Sequence, residues 1–177
     1  MLDSLITSKT RIKLLIRLFL NPDTSGHLRG MAYEFNESTN AVRLELNRLE
    51  EAGMLKTDAE GNKKVFKANT THPLFPEIQN ILRKVTGINE VIERVVKRLG
   101  GLKRVFLTGQ LANGNDTQLI DLILVGNEID QTYLNELIAK VEELIHRRIR
   151  TLCIAPNEFD TWESNWNQKL LLLWKVD

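Results

Sequence analysis

The side chains equipped for chemistry gather in one short stretch of this chain. Ser38, Thr39, Asn40, Arg43 and Asn47 recur at helical spacing and offer hydroxyl, carboxamide and guanidinium groups. Those groups hydrogen-bond base edges and grip phosphate oxygens. Lys63 and Lys64 follow beside a Gly61-Asn62 turn and add two charges suited to a phosphate strand. The plain alternative is that all seven belong to solvated faces. Other reactive chemistry is thin. The one cysteine, Cys153, sits in the apolar run TLCIA and reads as a buried core thiol. No nucleophile–base pair and no Gly-rich phosphate loop is legible, so no catalytic residue, metal ligand or cofactor is assigned.

The elements that must position these groups can be read from periodicity. Ile12, Leu15, Ile16 and Phe19 mark one apolar face of a helix over about 8–20, with Ser8 as N-cap and Pro22 closing it. Lys9, Arg11, Lys13 and Arg17 lend this helix a cationic face, either for phosphate or simply for solvent. A short helix over about 27–34 buries Leu28, Met31 and Ala32. After a turn at Asn36-Glu37, a third helix runs over about 38–52 on Val42, Leu46 and Leu49, and Gly53 stops it. Two strand-like runs, 54–57 and 64–68, flank the turn Glu60-Gly61-Asn62.

Helix, short helix, turn, long helix and basic hairpin follow one another in the order of a winged helix-turn-helix. The run HLRGMAYEFNESTNAVRLELNRLEEAGMLKTDAEGNKKVFKANTTHPLF resembles bacterial winged-helix transcriptional regulators of the ArsR/MarR-like type over about residues 8–76. LNRLEEAGML and GNKKVF match the family's pattern through recognition helix and wing, with Phe66 at the wing's aromatic position. The resemblance implies binding to double-stranded DNA, the third helix entering the major groove and the hairpin reaching a neighbouring phosphate strand. Metal sensing of the ArsR kind needs clustered Cys and His. This segment holds only isolated His27 and His72.

From Leu74 a heptad pattern sets in. Leu74, Ile78, Ile81, Val85, Ile88, Ile92, Val95 and Leu99 alternate steps of four and three. This spacing predicts a long connecting helix over 73–99 that either forms a dimer seam or packs on its own chain. DNA half-site logic favours a homodimer. Gly87 stands in its middle as a point where it kinks or splits.

Beyond residue 100 the pattern becomes strand, loop, strand, helix, strand: 104–108, 119–125, a helix over about 130–147, 149–155 and 170–176. Continuous apolar strands with a helical crossover predict an α/β domain on a mixed sheet. VFLTGQLANGNDTQLIDLILVG resembles the signature of small bacterial nucleotidyltransferase-fold proteins. In active members an Asp-x-Asp pair on a strand holds Mg²⁺ on a nucleoside triphosphate, with Gly-Ser on the preceding strand's turn. Here Gly109 is kept, Gln110 replaces Ser, Asn113-Gly114 replaces Arg-Gly, and Leu119 replaces the first Asp, leaving Asp121. Asp116 falls in the loop, and the later strand IRTLCIA has no carboxylate. The resemblance therefore implies a degenerate, catalytically inactive domain in which Gly109, Gln110 and Asp121 are candidate ligand-binding residues for a nucleotide or protein partner. An unrelated α/β domain with a Gly turn is the alternative. In the tail, Trp162, Trp166 and Trp174 read as core or interface.

Charge and composition fit this division. Residues 1–98 hold 16 Lys/Arg against 12 Asp/Glu, and residues 99–177 hold 8 against 11. A nucleic-acid surface is thus to be sought in the first half. No apolar run reaches the roughly 20 residues of a membrane helix, and MLDSLITSKTR lacks signal-peptide features. The sequence as a whole predicts an α+β protein: a winged helix-turn-helix over 1–72, a connecting and dimerisation helix over 73–99, and a nucleotidyltransferase-like domain over 100–177. The expected role is a cytoplasmic, DNA-binding transcriptional regulator with no membrane partner. The rivals are an active nucleotidyltransferase tethered to DNA, excluded only by the missing second carboxylate, and an antitoxin-like autoregulatory interaction protein.

Overall fold

The computed structural model describes residues 6–20, 22–115 and 117–176. The chain is α+β and divides into two compact units. One runs through Val85 and takes in Asn113–Asn115, and the other comprises Thr86–Ala112 and the chain after Asn115.

In the first unit, α1 (Lys9–Phe19) starts where the Ser8 hydroxyl accepts from the Arg11 amide at 3.2 Å. It is buried nearly all round: Leu14, Ile16, Leu18 and Phe19 are fully enclosed. β1 (Ser25–His27) leads into α2 (Leu28–Phe35), which ends on Asn36 in the left-handed conformation at φ 52°. Ser38 caps α3 (Thr39–Glu51), its hydroxyl accepting from the Ala41 amide at 3.1 Å. β2 (Leu55–Glu60) and β3 (Lys63–Ala68) form a hairpin whose two-residue turn is Gly61-Asn62. Gly61 at φ +59° supplies the positive dihedral that such a turn demands. β1 pairs antiparallel with β3, so the sheet order is β1-β3-β2.

The charged face expected on α1 is mostly consumed internally. Arg11 Nε lies 2.8 Å from Glu45, Lys13 Nζ 2.7 Å from Glu37, and the buried Arg17 Nε 2.8 Å from Glu34. These pairs tie α1 to α3, to the α2–α3 turn and to α2. They answer a structural need, since a cation buried beside a packed helix must find a counter-charge.

The long helix expected over 73–99 is not one helix. α4 (Phe75–Val85) stops, Gly87 takes φ +81°, and α5 (Ile88–Val91) begins anew before passing into wide π-type turns over Ile92–Val96. A Cβ at Gly87 would sit 2.9 Å from Ile145 Cδ1, so close packing and the left-handed dihedral both require glycine there. The heptad spacing is real, but each half is used separately. Phe75 stacks on Phe19 at 5.6 Å and Gln79 donates to the Phe19 carbonyl at 2.9 Å, within the first unit. Ile88, Ile92, Val95 and Leu99 are buried in the second. The second half of the proposed dimer seam is therefore core of its own chain.

The second unit is built on a four-stranded mixed sheet of order β6-β5-β4-β7. β4 (Leu102–Thr108) pairs antiparallel with β5 (Leu119–Gly126) and with β7 (Leu171–Lys175). β5 runs parallel to β6 (Arg148–Ile154), and the crossover between them is α7 (Gln131–Ile145), capped by Asp130. The short α6 (Gly109–Ala112) follows β4 directly. Strand alternation splits the apolar residues between two faces. Phe106, Ile123, Val125 and Ile154 pack on Phe159 of α8 (Pro156–Asn165), while α7 buries Leu134, Leu137, Ile138 and Val141. Cys153 is half-buried rather than enclosed.

Candidate functional site

A cleft of about 660 Å³ opens in the first unit between α3, the start of α2 and the β2–β3 hairpin. The local reasons for its shape are simple. The three-residue β1 pairs His27 with Val65, which holds the N-terminus of α2 beside the hairpin. The tight Gly61-Asn62 turn projects Lys63 and Lys64 at the rim, and α3 presents Arg43, Leu46 and Asn47 from the opposite wall. Arg29 and Asn62 complete the polar lining.

This lining holds four cations, Arg29, Arg43, Lys63 and Lys64, and no carboxylate. The side chains of Arg29, Arg43 and Lys63 are exposed and make no ion pair or hydrogen bond among the described residues. Lys64 alone is engaged: its Nζ lies 2.7 Å from Glu50, which also accepts from Thr57 at 3.2 Å. The Lys64 hydrogen bond is the main influence on Glu50 and holds that carboxyl below its ordinary value. Uncompensated cations lining a concave surface raise its potential and attract a polyanion. The amide groups of Asn47 and Asn62 add hydrogen-bonding capacity to the same wall.

The residues singled out from the sequence are partly gathered here. Arg43, Asn47, Lys63 and Lys64 line the cleft. Thr39 and Asn40 are exposed on α3 outside its lining. Ser38 is committed to capping α3, so its acceptor lone pair already serves the Ala41 amide. Arg29, His27 and Asn62 were not foreseen. Arg29 carries no local sign in the sequence, because its place at the cleft depends on the non-local β1–β3 pairing.

In the second unit, Gly109 and Asp121 come together, while Gln110 is exposed on α6 and does not line the cleft beside Asp121. Gly109 has φ +71°, and a Cβ on it would lie 2.4 Å from Asp121 Oδ2, so glycine lets the backbone pass against the carboxylate. Asp121 Oδ1 accepts from Arg150 Nε at 2.6 Å, across the β5–β6 pair. Leu119 faces Arg148 in the same register. A guanidinium thus satisfies the carboxylate that a cation would need. Among the described residues no three His, Cys, Asp or Glu side chains are grouped to hold a metal ion. Asp116 lies outside the described residues. A shallow cleft of about 300 Å³ beside Asp121 is lined by Thr108, Arg150, Trp166 and Gln168. Trp162 and Trp166 stack at 4.6 Å on the face that Phe159 joins, and no helix among the described residues is long and apolar enough to cross a membrane.

No protein-family model and no curated protein matches the chain. Among solved structures it is similar to AF1382 from Archaeoglobus fulgidus, with 18% identity over 52% of this chain and 98% of that one, at a TM-score of 0.38.

Proposed function

We propose that the first unit is a winged helix-turn-helix that binds double-stranded DNA, and that the protein is a cytoplasmic transcriptional regulator. In this reading α2 and α3 are the helix-turn-helix, α3 enters the major groove, and the β2–β3 hairpin is the wing. One observation carries the reading: a concave surface between the expected recognition helix and the expected wing has four cations and no carboxylate. The pairing of Arg11, Lys13 and Arg17 with glutamates supports it, because α1 spends those three cations inside the unit, whereas Arg29, Arg43 and Lys63 at the cleft make no ion pair among the described residues.

The test is titration of the full chain with labelled duplex DNA across a salt series. Binding should weaken with a linear log–log salt slope. Arg43→Ala should cost about 1–3 kcal/mol on a selected site, while Lys63→Ala should weaken all duplexes alike and flatten the slope by about one unit. A chain that stays folded and binds no duplex at low salt refutes the proposal.

For the second unit we propose a nucleotidyltransferase-like fold without transferase activity, serving assembly or the sensing of a nucleotide or protein partner. The Asp121–Arg150 pair and Leu119 support this, since they leave no pair of carboxylates for Mg²⁺. Labelled nucleoside triphosphates with Mg²⁺ or Mn²⁺ should show no transfer. Transfer that disappears in Asp121→Ala would overturn this assignment. A homodimer would form through the first half of the heptad seam, where Ile81 on α4 and Leu74 just before it remain exposed.

A further inference from the structure

The outward ridge of α3 carries an anomaly. At about 100° per residue, Val42, Glu45, Leu46 and Leu49 define the buried side of the helix. Asn40, Leu44 and Asn47 lie opposite them, and Leu44 is 51% exposed between the two asparagines. Leu44 is outside the buried set of its helix. Arg43 stands beside it on the cleft wall, and the ridge ends in Glu51 at the far end of the helix.

We infer that Leu44 reads the 5-methyl group of a thymine, and that α3 selects a half-site rich in A·T pairs through the ridge Asn40–Leu44–Asn47. This rests on the DNA-binding reading above and names its substrate more closely. The chemistry follows from the groups. A carboxamide pairs in bidentate fashion with adenine N6 and N7, and an aliphatic side chain packs on the thymine methyl, the one apolar group in the major groove. The spacing also fits. Seven residues at 1.5 Å rise span about 10 Å, or roughly three base steps of 3.4 Å. The four cations of the adjoining cleft supply the charge complementarity that brings a phosphate strand to this face. Glu51 marks where contact ends, because a carboxylate is repelled by phosphate.

The experiment uses the full chain and a pool of duplexes with a randomised core. Selected duplexes should contain recurring A·T runs. Each thymine of the winning duplex is then replaced in turn by uracil, which removes only the methyl group. One replacement per half-site should weaken wild-type binding about fourfold, the equivalent of roughly 0.8 kcal/mol for one buried methyl. The same replacement should leave Leu44→Ala unaffected. This variant keeps the fold, since alanine is the better helix former at an exposed site. Sensitivity to uracil that persists in Leu44→Ala, or its absence at every thymine of the wild-type complex, overturns the inference. A winning site without A·T runs does so too, while leaving DNA binding intact. Binding without enrichment of any sequence also overturns the inference while leaving DNA binding intact, and recovery of no duplex at low salt removes the DNA-binding reading itself.

Discussion

Glu50→Gln should make this protein bind DNA more tightly. Glu50 holds Lys64 Nζ at 2.7 Å, and Lys64 is one of the four cations of the cleft. A phosphate that takes Lys64 must first displace this carboxylate. The pair is solvent-screened, with the Lys64 side chain 52% and the Glu50 side chain 30% exposed, so its strength belongs to the weak surface class of about 0.2–1 kcal/mol. Neutralising Glu50 returns that amount to DNA binding, which converts to about 1.4-fold to fivefold in affinity. Lys64 becomes free to displace a counterion, so the salt slope should steepen by up to about 0.9. Glutamine keeps an oxygen to accept from Thr57, which preserves the α3–β2 link. The assay is fluorescence anisotropy on one duplex at several salt concentrations, with a thermal melt to confirm folding. A folded Glu50→Gln protein with unchanged or weaker affinity and an unchanged slope would refute the claim that Lys64 works at the interface.

Other outcomes follow from the same geometry. Gly109→Ala should destabilise the second unit by at least about 1–2 kcal/mol in urea melts, from its positive φ alone, and Asp121→Ala should relieve only the added contact with the carboxylate. Burial works to raise Glu37 and Glu45, but hydrogen bonds from Lys13 and Thr10 and from Arg11 and Ser8 outweigh it and hold both below the ordinary value of about 4.5. Their folded values being depressed, they stabilise the first unit above the unfolded value, and melts should show that stability lost as pH falls below about 4.5. Ile88→Glu should unfold the second unit, because Ile88 is fully buried, whereas Ile81→Glu should leave the fold intact and reduce self-association by sedimentation if α4 is the dimer seam.

Much of the first unit was legible because its signals are local. Ser8 and Ser38 announce helix starts, and both do cap helices. Gly61-Asn62 announces a hairpin, and the register Glu60–Lys63 bears that turn out. The segment 74–99 misled for a physical reason. A repeat of four and three reports which residues are buried, but not whether the chain between them stays helical. Gly87 decides that, and its requirement comes from Ile145, far along the chain. The cationic stripe of α1 misled in a related way. Lys13 and Arg17 look solvent-directed in sequence, yet Glu37 and Glu34 arrive from the next helix and its turn.

The same contrast separates the two candidate sites. At the cleft, the residues visible in sequence were those on α3 and at the hairpin turn, where position follows from local geometry. Arg29 was invisible because three residues of β1 carry it there by pairing with β3. In the second unit the resemblance set Gln110 and Leu119 apart from the nucleotidyltransferase signature, but gave no sign of what stands beside Asp121. That neighbour lies on β6: Arg150 is opposite Asp121 in a parallel register and donates to it at 2.6 Å. An aspartate without such a neighbour would remain available to a cation. With Arg150 in place, a divalent ion would have to displace a charge-assisted hydrogen bond and approach a guanidinium, and Leu119 offers it no second oxygen. Two features therefore oppose a divalent ion at Asp121: no second carboxylate at position 119 and a guanidinium alongside. Leu119→Asp alone should not create a metal site unless Arg150 is removed as well.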